Sequence, residues 1–193
     1  MYVTLSENDR ILSSKIVENH DNKYHSAFLI STIKTILQEN NLTPKDLDAV
    51  GTNIGPGSFT GIRACTTVAR VMAQQLDIQA VGVSSLEILA QIGGNDKKTA
   101  VALDARKNCA YFYDGEVRGA LQLDEVKEIL AGEKELFLVT DDKLKNILGG
   151  NSYQEKEYPL GEILAHLSYE KLRNGEHHWS QLKPLYIQPP PMG

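Results

Sequence analysis

The residues best suited to chemistry lie in one glycine-rich segment, Gly55-Pro56-Gly57-Ser58-Phe59-Thr60-Gly61. It follows a short apolar run and precedes a long helical pattern. A strand, turn and helix in that order gather backbone N–H groups and a helix N-terminus at one spot, where an anion is favoured. The chemistry would be the binding of a phosphate or a carboxylate. The spacing is G-x-G-x-x-x-G, which is neither the G-x-G-x-x-G of dinucleotide sites nor a P-loop, since G-K-[ST] is missing. The plainer alternative is a tight turn permitted by Gly55 and Gly57, with Ser58 or Thr60 capping the helix. Arg63, in the first helical turn, opposes the helix dipole. Either a carboxylate partners it or it stands in solvent.

A second candidate is Asp104-Ala105-Arg106, at the end of an apolar run. The pair could hold a ligand phosphate or bond internally; a turn-forming Asp beside a solvated Arg is the alternative. The histidines offer no metal pattern. His20 and His25 are five positions apart, whereas ligands on one helix face sit at i and i+4. His177-His178 precede Trp179 without a Cys or carboxylate at tetrahedral zinc spacing. Cys65 falls on a helical apolar face, and Cys109 begins a strand with only Arg106 and Lys107 near it. Ser58 lacks the G-x-S-x-G elbow. No catalytic residue and no metal site emerges.

The elements that position these residues follow from periodicity. Tyr2 to Leu5 and Ile11 to Val17 read as two strands joined by Ser6-Glu7-Asn8-Asp9. Tyr24 to Gln38 is a helix, stopped by Asn40-Asn41, and Thr43-Pro44 opens a short turn. Asp48 to Ile54 is a strand, Ile62 to Leu76 a helix and Ile78 to Val83 another strand. Ser84 to Glu87 has capping-box spacing and opens a helix over Ile88, Leu89 and Ile92. Gly93 to Lys98 is the strongest candidate boundary, so the expected lobes are 1–97 and 98–193. Beyond it come strands Thr99 to Leu103 and Cys109 to Asp114, an Asp114-Gly115 hairpin turn and a strand from Glu116 to Leu123. A helix over Asp124 to Ala131, a strand over Glu135 to Thr140, a helix over Asp142 to Leu148 and a helix from Pro159 to Asn174 complete the pattern. The tail Pro184 to Ile187 is short and extended, and Pro189-Pro190-Pro191 cannot continue a ladder. The fold class is α/β in two lobes.

Composition bounds the function. The chain has 193 residues, 41% apolar, with 20 Lys and Arg against 25 Asp and Glu, a net charge of −5. That balance argues against strong nucleic-acid binding by this chain alone, because phosphate neutralisation needs a basic face. No run of 18 uncharged apolar residues exists, so no membrane contact is expected. The start lacks the basic and apolar regions of a secretory signal. With two cysteines read as reduced thiols, the expected location is cytoplasmic.

The helix after the glycine turn is apolar on two sides. Ile62, Cys65, Ala69, Met72, Ala73 and Leu76 form one face; Ala64, Val68 and Val71, with Thr67 and Thr66 nearby, form a second. A surface helix needs one apolar stripe, and the second, made of small or β-branched residues, lets another helix approach closely. Either the helix is buried in its own domain, or it rests on its own sheet and on a partner.

Gly55-Pro56-Gly57-Ser58-Phe59-Thr60-Gly61-Ile62-Arg63, then Val83-Ser84-Ser85-Leu86-Glu87, then Leu103-Asp104-Ala105-Arg106, resemble the TsaB (YeaZ) family. Tyr24-His25-Ser26 matches the family pattern too, and the likeness covers residues 1 to 110 well and the rest loosely. These are non-catalytic subunits of bacterial tRNA threonylcarbamoyladenosine synthesis. The resemblance implies a two-lobed actin-like, sugar-kinase and Hsp70 (ASKHA) fold, pairing with a catalytic TsaD-type paralogue and joined by a TsaE-type ATPase. It also implies a homodimer in isolation, and contact with tRNA only through the complex. ATP and metal would sit on the partners, with no cofactor bound by this chain alone. The pairing surface would fall on the first two helices, at His25, Phe28, Ile33, Ala64, Thr67, Val68 and Val71. Asp104 and Arg106 would lie at the lobe cleft in a structural role.

One departure from the family pattern stands out. ASKHA chains open with a strand ending in an I-D-T-S phosphate loop, whereas Tyr2-Val3-Thr4-Leu5 aligns with the second strand. The expected lobe therefore lacks its first strand, which weakens any nucleotide site and leaves a neighbouring edge unpaired. An ASKHA phosphotransferase would need acidic and phosphate-loop residues that are not found here. A metallopeptidase-like protein would need the His-x-x-x-His of the catalytic paralogues.

Overall fold

The computed structural model describes residues 1–193 except 17–25, 95, 134, 155–157 and 188–193. His25 lies outside the described residues. The chain divides into two units. The first is Met1–Ser84 with Pro159–Leu185, and the second is Ser85–Tyr158 with the chain end from Tyr186. This differs from a single boundary at 93–98. The crossing falls at Ser84/Ser85, and the last long helix returns to the first unit, because strand-facing glycines there match its surface.

In the first unit, β1 (Tyr2–Glu7) and β2 (Arg10–Ile16) form an antiparallel ribbon. α1 (Ser26–Glu39) packs on it: Leu5, Ile36 and Leu37 are buried together, with Val3, Leu12, Ile33, Leu42 and Leu47 around them. Asn40 ends the helix by donating its side-chain amide to the Ile36 carbonyl at 2.7 Å. At the turn Pro44–Asp46, the Asp46 carboxylate accepts the Thr43 N–H and hydroxyl, both at 2.7 Å. These bonds hold the Asp46 carboxyl below its usual range. β3 (Ala49–Gly55) and β4 (Gln79–Ser84) form a second, parallel ribbon. They are joined by α2 (Phe59–Leu76), which seats Ala69 and Ala73 against Ala80 and Leu182.

The last long helix (Leu160–Arg173) lies on the strand face opposite α1 and α2. Two close approaches set its position. A Cβ on Gly161 would meet the Thr4 hydroxyl at 2.5 Å, and a Cβ on Gly51 would meet the Ser168 hydroxyl at 2.1 Å. Gly51→Ala is therefore expected to cost about 1–3 kcal/mol through overpacking, read as a lowered denaturant midpoint; an unchanged midpoint would contradict the contact.

The second unit contains α3 (Ser85–Ala90), β5 (Lys98–Arg106), β6 (Cys109–Tyr113), β7 (Val117–Gln122), α4 (Leu123–Ala131), β8 (Leu136–Thr140), α5 (Asp142–Leu148) and β9 (Asn151–Ser152); the long helix of the first unit is α6. The sheet order is β7-β6-β5-β8-β9. β8 is parallel to both its neighbours, while β6 is antiparallel to β5 and to β7. The helix expected to reach Ile92 ends at Ala90, and Gln91–Gly93 continue it as a 3-10 turn. The Asp114-Gly115 turn joins β6 and β7 as expected, tied by Arg118 to the Asp114 carboxylate at 2.8 and 3.1 Å. Phe112, Leu144 and Val126 are fully buried in the core beneath the sheet. No described helix is long and apolar enough to cross a membrane.

Candidate functional site

β3 delivers the chain into the glycine turn through a Gly55 φ of +103°, a conformation glycine reaches without a Cβ penalty. The Gly55 N–H donates to the Asn53 side-chain carbonyl at 2.8 Å. Ser58 is the helix cap: its hydroxyl accepts the Gly61 N–H at 3.3 Å, and its carbonyl accepts the Ile62 N–H at 2.8 Å. The cap takes the Gly61 N–H, one of the first-turn donors, and it starts α2 at Phe59, three residues before the periodicity predicts. Pro56 is buried, whereas Gly57 and Thr60 are exposed. Arg63 is exposed, as the solvent alternative has it, with its guanidinium over the Phe59 ring, 5.1 Å from the centroid, a favourable cation–π contact.

α2 is two-sided. Thr66, Ala69 and Ala73 are its buried residues. Thr66 is the polar member of that face, and its hydroxyl donates to the Ile62 carbonyl at 2.8 Å, so nothing is left unpaired by burial. Cys65, read from sequence as inward, is only half-buried, whereas its neighbour Thr66 is buried. Burial pushes the Cys65 thiol above its ordinary range, offset in part by the nearby Met1 amino group. The opposite side carries Ala64 and Val68, half-buried, with Thr67 exposed. Helical geometry places Ala64, Val68 and Val71 about half a turn away from the buried row.

α2 touches α1. Large apolar side chains stay exposed along both helices and the turn: Phe28 at 43%, Ile30 at 66%, Phe59 at 51% and Val71 at 51%. Isolated exposed apolar residues are ordinary; exposed ones gathered on neighbouring elements are what an interaction surface needs. Ile33 is not part of it. It packs inward with Leu5, Ile36 and Leu37, because it lies on the α1 side that faces β1. Ile30, which the sequence reading did not select, takes the outer position; its place between Phe28 and Ile33 was the available signal.

Asp104 and Arg106 lie in the second unit at the end of β5. The Asp104 carboxylate accepts Lys143 at 2.7 Å and the Arg106 backbone N–H at 3.1 Å. The Asp104 N–H in turn donates to Asp141 at 2.6 Å. Arg106, Lys107 and Asn108 all have positive φ, as the tight hairpin into β6 requires. The geometry is that of a braced strand end. Among the described residues, no group of three or more His, Cys, Asp or Glu side chains gathers as a metal site.

Residues 10–146 match the family model described as TsaD, tRNA N6-adenosine threonylcarbamoyltransferase. Among curated proteins, the tRNA threonylcarbamoyladenosine biosynthesis protein TsaB of Bacillus subtilis is 33% identical over 110 residues, covering 56% of this chain and 47% of that protein. TsaB of Buchnera aphidicola (subsp. Schizaphis graminum) is 28% identical over 155 residues, covering 71% and 74%. TsaB of Escherichia coli is 30% identical over 115 residues, covering 56% and 49%. The chain thus spans about half the length of two of these relatives. YeaZ from Pseudomonas aeruginosa shares the fold, with a TM-score of 0.71 at 21% identity over 96% of this chain and 93% of that one.

Proposed function

This chain belongs to the TsaD family of tRNA N6-adenosine threonylcarbamoyltransferases, on its TsaB (YeaZ) side, and from that membership we propose that it acts in tRNA threonylcarbamoyladenosine synthesis as a pairing subunit without a catalytic site of its own. The partner is a TsaD-type catalytic paralogue, joined by a TsaE-type ATPase, with ATP and metal held by those subunits. In isolation the chain pairs with itself, and it meets tRNA only within the assembly, in the cytoplasm.

The observation that carries this reading is the outer side of α2. Ala64, Thr67, Val68 and Val71 form a shallow stripe of small and β-branched side chains, and Phe28 and Ile30 on α1 and Phe59 at the start of α2 are also exposed. Such a stripe lets a second helix come close enough to pack ridge into groove. In the capped glycine turn the Gly55, Gly61 and Ile62 N–H groups are engaged within the chain, in keeping with a loop that shapes the start of α2. Asp104 and Arg106 fit a structural role, through the brace with Lys143 and Asp141. The reading of the first unit as an ASKHA lobe without its first strand is supported by its two separate ribbons.

The deciding measurement is the mass of the species formed on mixing this chain with a TsaD-type subunit. A one-to-one complex that forms at the expense of a self-dimer is the expected result. Two unassociated monomers at micromolar concentration would refute the pairing role.

A further inference from the structure

α1 and α2 carry a charge opposite to that of the chain as a whole. The full chain has a net charge of −5. The two helices hold three cations, Lys34, Arg63 and Arg70, against one carboxylate, Glu39. Glu39 is already engaged, since it pairs with Lys15 of β2 at 2.6 Å. Among the described residues no carboxylate pairs with Lys34, Arg63 or Arg70. Arg63 stands in the first turn of α2, where the helix dipole disfavours a cation, and it stacks on the Phe59 ring.

These cations frame the pairing side rather than cross it. Arg63, Thr67, Arg70 and Gln74 recur at i, i+4, i+7 and i+11, so they form one row along α2. That row runs beside Ala64, Val68 and Val71. Arg63 is exposed and Arg70 half-buried, and on α1 exposed Lys34 follows exposed Ile30 by one turn. A rim charge adds little to affinity once a complex has formed, but it sets the rate and the choice of encounter. The choice follows from symmetry. In a two-fold self-pair the same patch lies on both sides, so a patch of net positive charge faces itself, and the one carboxylate is held by Lys15. A surface rimmed by carboxylates is its complement.

We propose that this cationic rim selects the partner: it steers the chain toward a different subunit whose matching surface presents carboxylates, and it opposes pairing with a second copy. The inference rests on the pairing reading and deepens it by naming the charge of the partner surface. Exposed Phe28, Ile30, Phe59 and Val71 lie on the same two helices, which suits a protein surface better than a phosphate backbone. The guanidinium groups stay charged at every working pH and can take a carboxylate bidentately. Exposed charges act over about 8 Å at physiological salt, close to the about 8–10 Å between the axes of packed helices. Screening therefore separates the two pairings. Added salt weakens attraction to an acidic surface and relieves repulsion between copies.

The test measures association of the full chain with a TsaD-type subunit, and with itself, between about 0.05 and about 0.5 M salt. The association rate with the TsaD-type subunit is expected to fall at least about tenfold over that range, while self-association strengthens. Lys34→Gln, Arg63→Gln and Arg70→Gln combined should remove both salt dependences and tighten the self-pair at least about threefold. Arg63→Lys with Arg70→Lys, which keep the charge, should follow the wild type within about twofold. Far-UV circular dichroism and the unfolding midpoint check that each variant is folded. A hetero-pair whose rate ignores salt, or a self-pair that does not strengthen with it, overturns the inference and leaves the pairing reading intact. So does a triple variant that associates as the wild type does. If that variant pairs unchanged but loses tRNA that the wild-type chain binds alone, the cations serve RNA phosphates, and the inference falls. Failure to pair with the TsaD-type subunit at any salt removes the pairing reading, and this inference with it.

Discussion

Val68→Glu and, separately, Ala64→Arg are expected to weaken pairing with a TsaD-type subunit, and with a second copy of this chain, by at least about 100-fold. Both positions lie on the side of α2 opposite buried Thr66, Ala69 and Ala73, so neither change enters the core of the first unit. At the pairing surface the new charge would be buried without a counter-ion, which costs several kcal/mol; about 2.7 kcal/mol already amounts to 100-fold. The isolated variant should keep its far-UV circular dichroism and its unfolding midpoint, since a surface substitution away from caps and cores changes stability by about 0.5 kcal/mol or less. Sedimentation of each variant mixed with the partner measures the outcome. If both variants still co-sediment at wild-type affinity, the pairing face lies elsewhere. Val71, half-exposed on the same side, should behave in the same way, whereas Ile33 should not, because a charge there enters the cluster around Leu5 and unfolds the unit.

The largest stability loss is expected from Phe112→Ala. Phe112 has no exposed surface and is the bulkiest fully buried side chain among the described residues. Its neighbours include Ala100, Ala102 and Ala110 on the sheet, with Leu123, Val126, Leu138 and Leu144 from the flanking elements. Three of those neighbours are alanines that cannot swing into a void, so the ring supplies much of the filling and its removal leaves a cavity. A loss of about 3–5 kcal/mol is expected, large against a total stability of about 5–15 kcal/mol for a domain. Urea unfolding should show the midpoint falling, with exchange of β5 and β6 amides rising before those of β3 and β4. A loss under about 1 kcal/mol would mean that the second unit closes around the gap.

Much of the local structure was legible from residue order. The period of Ile62, Ala69, Ala73 and Leu76 set the inner side of α2, and the small residues between them set the outer one. Asp114-Gly115 set a hairpin, and Thr43-Pro44 set a capped turn. The misplacements have local causes as well. Thr66 reads as lying near the second, outer face, yet it is buried, its hydroxyl finding a carbonyl within its own helix. Asp104-Ala105-Arg106 reads as a strand end beside a loop, yet a hairpin with three successive positive-φ residues carries the strand through it.

Residue order alone determined which stretches are helix or strand, the two-sided character of α2 and the family likeness of its glycine turn, since each depends on neighbours a few positions apart. Only the folded chain decided that Pro159–Leu185 rejoins the first unit, that Ile33 faces inward while Ile30 stays out, and that one helix covers two separate ribbons. Those outcomes depend on contacts between residues far apart in the chain, such as Gly51 with Ser168 and Thr4 with Gly161. Periodicity carries no record of such contacts, because it reports which side of an element is apolar and not which surface will cover it.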